Sequence, residues 1–230
     1  MFHEAIARFR GGRHIVVACA IALAFPVAAT AQTGQPVKSL NAQLLEFARQ
    51  GDAGRVRKVL EAGAAPDSRN RNGETALFMF SREGSLEVVT MLLQAGADPN
   101  LANLEKATPL MAAAHGGFTA VAQALVAAGA DVDAVDQIDK TAVIYAAANG
   151  HVQMLDLLLD RGIEVDARYR HALTALMWAA GYGRTPAVAH LLERGADASL
   201  RDDRGLTAGD IAVRQGHAET AAVLQAAVAR

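Results

Sequence analysis

The chain has 230 residues, is 52% hydrophobic but only 5% aromatic, and carries a formal charge of −2. That composition excludes a disordered or collagen-like chain. The charge balance leaves no basic stripe of the kind that binds nucleic acid, so no nucleic-acid partner is expected.

Residues 1–31 read as a cleavable signal peptide. Arg8, Arg10 and Arg13 form a positive start, residues 15–25 are an unbroken apolar run, and Pro26 ends it. Ala29-Thr30-Ala31 then supplies the small-x-small pattern for cleavage before Gln32. The run is shorter than the about 20 residues that span a bilayer, so no stable membrane insertion is expected. Cleavage removes three of the 22 basic and one of the 24 acidic residues, leaving 19 against 23 and a charge of −4. Cys19, the only cysteine, leaves with the peptide. Only four apolar residues separate it from Arg13-His14, too few for a lipoprotein-type signal. The mature chain is therefore expected to have no thiol chemistry and to reside in a bacterial periplasm, with secretion as the alternative.

Residues 32–38 read as a polar linker, and beyond them the chain repeats. Thr75, Thr108, Thr141, Thr174 and Thr207 are 33 residues apart, as are Gly63, Gly96, Gly129, Gly162 and Gly195. Gly51, Gly84, Gly117, Gly150, Gly183 and Gly216 keep the same interval. Three registers at one period define a repeat architecture. Each Thr suits the N-cap of a short helix, which carries Leu77, Leu110, Val143 or Leu176 inward. Ala113, Ala146 and Ala179 then let neighbouring helices approach. The helix ends at a glycine of the third series, and a second helix with paired apolar residues such as Leu158-Leu159 follows. Helices this short persist by stacking on the next pair.

These motifs resemble the ankyrin repeat family, whose unit reads D-x-x-G-x-T-P-L-H-x-A-A-x-x-G-H followed by L-L-x-x-G-A-D. The resemblance covers residues 39–230 in six units, 39–69, 70–102, 103–135, 136–168, 169–201 and 202–230, the outer two reading as caps. It implies an all-α solenoid of stacked helix-turn-helix units with hairpin-like finger loops. The family's His after T-P-L is replaced by Phe78, Met111, Ile144 and Met177, so apolar packing is expected there instead of hydrogen bonds. The hairpin glycine survives as Gly73 and Gly205 but gives way to Lys106, Asp139 and Ala172, so the three central fingertips are expected to differ in shape.

Candidates for chemistry are few. His151 and His217 stand at the family's Gly-His position and are expected to satisfy loop backbone; two repeats apart, they cannot share a metal. Asp131, Asp133, Asp136 and Asp139 lack the spacing and terminal Glu of a calcium loop. No nucleophile–base pair, paired-carboxylate motif, phosphate loop or dinucleotide fingerprint appears. Neither catalysis, a metal nor a cofactor is expected.

The resemblance implies a monomeric module that binds another protein, as adaptor, inhibitor or stabiliser, through its fingers and concave side. A secreted effector acting on a host protein is the alternative. Carried onto this chain, the family's variable positions put Leu104, Ile138, Leu173 and Tyr182 in an intermittent apolar line, with Arg170, His171 and Arg204 among the flanking charges. Tyr169, where the family has Asp, forms an expected anchor with Arg170 and Tyr182, because aromatic and Arg residues dominate protein interfaces. Tyr145 and Trp178 share one column of successive repeats and are expected to stack on each other as packing.

Overall fold

The computed structural model describes residues 38–229. The signal-peptide reading and all of the linker but Lys38 lie outside these residues. Twelve α-helices follow in pairs: α1 (Leu40–Arg49) and α2 (Ala53–Glu61), α3 (Ala76–Glu83) and α4 (Leu86–Gln94), α5 (Pro109–Gly116) and α6 (Thr119–Ala127). Then come α7 (Ala142–Asn149) and α8 (Val152–Leu159), α9 (Ala175–Gly181) and α10 (Thr185–Glu193), α11 (Ala208–Arg214) and α12 (Ala218–Val228). Odd-numbered helices stack in one row and even-numbered helices in a second. Among the described residues there is no strand, only an isolated bridge between Arg69 and Thr75, and no helix is long and apolar enough to cross a membrane. The all-α solenoid expected from the repeat is the fold observed.

The repeated residues do the local work. Thr75, Thr108, Thr174 and Thr207 each accept the N–H three residues on, at 3.1 to 3.4 Å, and so start α3, α5, α9 and α11. Met111 and Asp210, both at the family's His position, reach back to the cap: Met111 Sδ accepts Thr108 N–H at 3.5 Å, and Asp210 Oδ2 accepts Thr207 N–H at 2.9 Å. Thr141 is the exception. Its backbone is extended like the others, but its buried hydroxyl caps nothing.

Ala113, Ala146 and Ala179 are fully buried in the inner row, with Leu77, Leu110, Val143 and Leu176 beside them. Phe78, Met111, Ile144 and Met177 are buried too, as the missing histidines implied.

A second column ties each pair to the one before. The residue after the helix-ending glycine lays its side chain over the previous repeat's glycine: Phe118 over Gly84, His151 over Gly117, Arg184 over Gly150 and His217 over Gly183. Three of them also donate to a last-turn carbonyl of the preceding inner helix. His151 Nε2 reaches His115 O at 3.0 Å, Arg184 Nε reaches Ala148 O at 2.9 Å, and His217 Nε2 reaches Gly181 O at 3.2 Å. Such carbonyls have no partner within their own helix. A carbonyl can only accept, so both histidines carry a proton on Nε2. The expectation that they satisfy backbone is met, and the backbone belongs to the neighbouring repeat.

Candidate partner-binding surface

In four of the repeats one residue shapes the finger. Asn70, Asn103, Asp136 and Asp202 each accept two N–H groups of the following loop through Oδ1, all at 2.9 to 3.0 Å. Held this way, Lys106 and Asp139 adopt φ of 59° and 60°, close to Gly73 at 74° and Gly205 at 76°. The expectation that all three glycine-free fingertips change shape is therefore wrong for two of them. The side-chain bonds over-determine the loop and hold a left-handed conformation that costs about 1–2 kcal/mol for a residue with a Cβ.

The fifth repeat does change. Tyr169 occupies the Asn/Asp column and has no carbonyl or carboxylate oxygen to offer the loop. The backbone closes instead as a 3-10 turn over Arg170–Ala172, with His171 and Ala172 both left-handed, at φ 61° and 53°. The Tyr169 ring packs against the core, half-buried, and burial pushes its phenol pKa up. Its hydroxyl faces that of Thr141 without completing hydrogen-bond geometry, so the Thr that caps no helix lies beside the Tyr that shapes no finger.

Asp202 shows what the ordinary finger gains. Burial pushes its carboxyl up, but the Leu206 and Arg204 N–H donors and the Arg204 guanidinium outweigh burial and hold it below the usual value of 3.8. A lowered folded pKa contributes stability that is complete above the ordinary carboxylate range and is lost as pH falls through the folded value. Thermal melts between pH 5 and pH 2 should show this acid loss, and Asp202→Asn should flatten it.

Along the inner row, aromatic side chains lie beside the fingers. Tyr145 donates to Asp136 Oδ2 at 2.6 Å, and its phenol is pushed far above the usual range, first by burial and then by that carboxylate. His115 meets Tyr145 edge-on at 5.7 Å between ring centroids. Trp178 stacks on Tyr182 at 6.2 Å and 15°. The expected stack of Tyr145 on Trp178 is absent: successive inner helices lie about 8–10 Å apart, too far for rings at one register to meet directly. Lys140 bridges them, its Nζ 4.7 Å from the Trp178 centroid and 5.5 Å from that of Tyr145. The ammonium is held by the negative ring faces. Trp178 Nε1 is buried with no hydrogen-bond partner, a cost of about 1–3 kcal/mol carried by this surface.

Leu104, Ile138 and Tyr182 are at least half exposed, at 64%, 53% and 50%. Leu104 lines a concave cavity of about 630 Å³ with Phe78, Met111, His115 and Tyr145, beside a Glu74–Arg82 ion pair at 2.9 Å. Ile138, Tyr169, Arg170, His171 and Leu173 converge on a second cleft of about 250 Å³ between the fourth and fifth fingers. Tyr182 lies beside that cleft, on Trp178. Arg204 joins neither: its guanidinium is pinned on Asp202 at 2.7 and 2.9 Å. Of the expected anchors, Arg170 and Tyr182 are exposed, whereas Tyr169 is largely framework.

Trp178, expected as packing, holds the centre of the surface together with Lys140, which stands at one of the positions the family varies. Lys140 stands directly before the repeat's Thr, where the neighbouring units carry Ala107 and Leu173. Of the five residues in that column only Glu74 and Lys140 are charged, and their contrast with Ala107, Leu173 and Leu206 was the available signal.

Asp131 and Asp133 belong to the loop framework: Asp131 Oδ1 accepts Asp133 N–H at 2.9 Å, and Asn100 Oδ1 accepts Asp131 N–H at 2.8 Å. Among the described residues no three His, Cys, Asp or Glu side chains gather as a metal site. Comparison with known proteins agrees with this picture of a binding scaffold. Family models for ankyrin repeats match residues 44–136, 81–169 and 158–212. No curated protein matches the chain. Ankyrin-repeat stacks are non-catalytic scaffolds that generally mediate protein–protein interaction. Matched across more than half its length by models of that repeat, the chain belongs to the ankyrin repeat family.

Proposed function

We propose that this protein binds one partner protein in a bacterial periplasm through its fingers and concave face, as an adaptor, inhibitor or stabiliser. The observation that carries the reading is the set of exposed Leu104, Ile138 and Tyr182 beside Trp178, with Lys140 between the Trp178 and Tyr145 rings. Exposed apolar and aromatic groups rimmed by charge are the usual anatomy of an interface. Six repeats at about 10 Å each offer a groove about 50–60 Å long, ample for a standard interface of about 800 Å² per partner. The periplasmic location rests on the arginines, apolar run and Ala29-Thr30-Ala31 of the first 31 residues.

Capture from periplasmic extract tests the reading. The bait is compared with a variant carrying Leu104→Asp, Ile138→Asp and Tyr182→Ser. A control carries Lys58→Ser and Gln153→Ser on the outer row. All five positions are exposed, so each change should shift stability by no more than about 0.5 kcal/mol. The expected result is a partner held by wild type and control and lost by the triple variant. Equal capture by all three contradicts the proposal.

A further inference from the structure

The backbone ladder that joins successive fingers is interrupted at one place. Leu104 N–H donates to Asn72 O, Gln137 N–H to Glu105 O and Asp203 N–H to His171 O, at 2.9 to 3.1 Å. Among the described residues no corresponding bond links Arg170 N–H to Ile138 O, because the 3-10 turn imposed by Tyr169 re-aims the fifth finger. The cleft of about 250 Å³ lies at this break. It has room for roughly eight waters at about 30 Å³ each, or for one large apolar side chain. Ile144, Leu173 and Trp178 form its more buried lining, and Arg170 and His171 its exposed lining.

Charge selects the occupant. The Asp139 carboxylate in the cleft is answered by Arg170 at 3.6 Å, and His171 faces Asp203 at 3.7 Å. Lys140 is left over. It is half-buried, rests on two rings and forms no ion pair among the described residues. A cation–π contact supplies about 0.5–2 kcal/mol, which replaces only part of the hydration that a buried ammonium loses. Of the arginines on the fifth and sixth fingers, Arg170, Arg201 and Arg204 face Asp139, Asp210 and Asp202, and Arg168 forms no ion pair among the described residues.

We propose that this cleft is a subsite for an acidic segment of the partner protein. A large apolar side chain enters against Ile144, Leu173 and Trp178, and an adjacent Asp or Glu carboxylate pairs with Lys140. The inference rests on the protein-binding reading above and adds the chemistry of the segment recognised. Arg170 is exposed and can leave Asp139 to admit the chain, since a surface pair of this kind is worth about 0–1 kcal/mol.

A random peptide library displayed on phage, selected against the full chain, supplies the probes. Trp178 is the only tryptophan, so its fluorescence reports occupancy of the cleft directly. The selected peptides should place Asp or Glu beside a large apolar residue and change Trp178 emission saturably. Lys140→Met keeps the apolar stem on the rings and removes the charge; it should weaken these peptides about tenfold. Replacing the peptide's acidic residue by its amide should weaken binding to wild type by the same factor and cost nothing further on Lys140→Met. Selected peptides without acidic residues, or with equal affinity for Lys140→Met, overturn the acidic subsite. If such peptides still lose binding to the Leu104→Asp, Ile138→Asp, Tyr182→Ser variant, the concave-face reading stands without it. Peptides indifferent to both variants sink the two together.

Discussion

Replacing Asp136 by Ala should cost about 3 kcal/mol, because it removes one buried carboxylate and leaves three donors without their acceptor. Asp136 is 5% exposed and accepts Ile138 N–H and Lys140 N–H at 2.9 Å and the Tyr145 hydroxyl at 2.6 Å. Hydrogen bonds to a charged group are worth about 1.5–3 kcal/mol each, and partial rehydration of the two loop N–H groups returns some of the sum. The loss reaches the proposed binding surface as well. Without Asp136, the fourth finger no longer has a reason to keep Asp139 left-handed, and Lys140 is no longer held over the Trp178 and Tyr145 rings. Asp136→Asn retains an oxygen for the two N–H groups and weakens only the tyrosine contact, so about 1 kcal/mol is expected. Urea melts followed by circular dichroism and by Trp178 fluorescence check both values. A cost for Asp136→Ala as small as that for Asp136→Asn would mean the finger is held by something else.

Replacing Gly117 by Ala should cost a similar amount, about 3 kcal/mol, for a different reason. Gly117 has φ of +73°, and a Cβ built there lies 2.6 Å from His151 Nδ1. The left-handed conformation alone accounts for about 1–2 kcal/mol, and displacing His151 from its bond to His115 O adds the rest. The two parts separate in a double-mutant cycle. In a His151→Ala background the Cβ meets no ring, and the penalty of Gly117→Ala should fall to the backbone part alone, about 1–2 kcal/mol. An unchanged penalty would place the whole effect in the backbone and remove His151 from the coupling between the third and fourth repeats.

Much of the architecture was legible in the sequence because a stack of identical units repeats its constraints. Thr108 and Gly117 say little alone; at one period with Thr75, Thr174, Gly84 and Gly150 they specify where helices start and stop. The same regularity exposed Tyr169 as a break, since an Asn/Asp column that feeds two loop N–H groups cannot be filled by a phenol. What the register could not convey was side-chain direction. It placed Tyr145 and Trp178 in one column and suggested a stack, yet the column repeats at the helix spacing, which exceeds ring-contact distance, and a lysine from the finger fills the space. Nor could it show that Lys106 and Asp139 imitate glycine. That depends on loop N–H groups donating to Asn103 and Asp136, bonds which override local propensity.

The surface around Lys140 thus depends on framework groups behind it: Asp136 holds the finger and the tyrosine, Thr141 and Tyr169 face each other where a cap is missing, and Trp178 leaves its N–H unpaired. Local rules hold elsewhere in the stack and the departures concentrate at one place, which supports the proposed binding surface there.

Hydrogen–deuterium exchange of the chain with and without its captured partner tests this most directly. The account predicts slowed exchange in the finger segments 103–107, 136–140 and 169–173 and at the ends of α7 and α9, with the outer helices α4, α6, α8 and α10 unchanged. Protection confined to those outer helices, with the fingers unaffected, would contradict it.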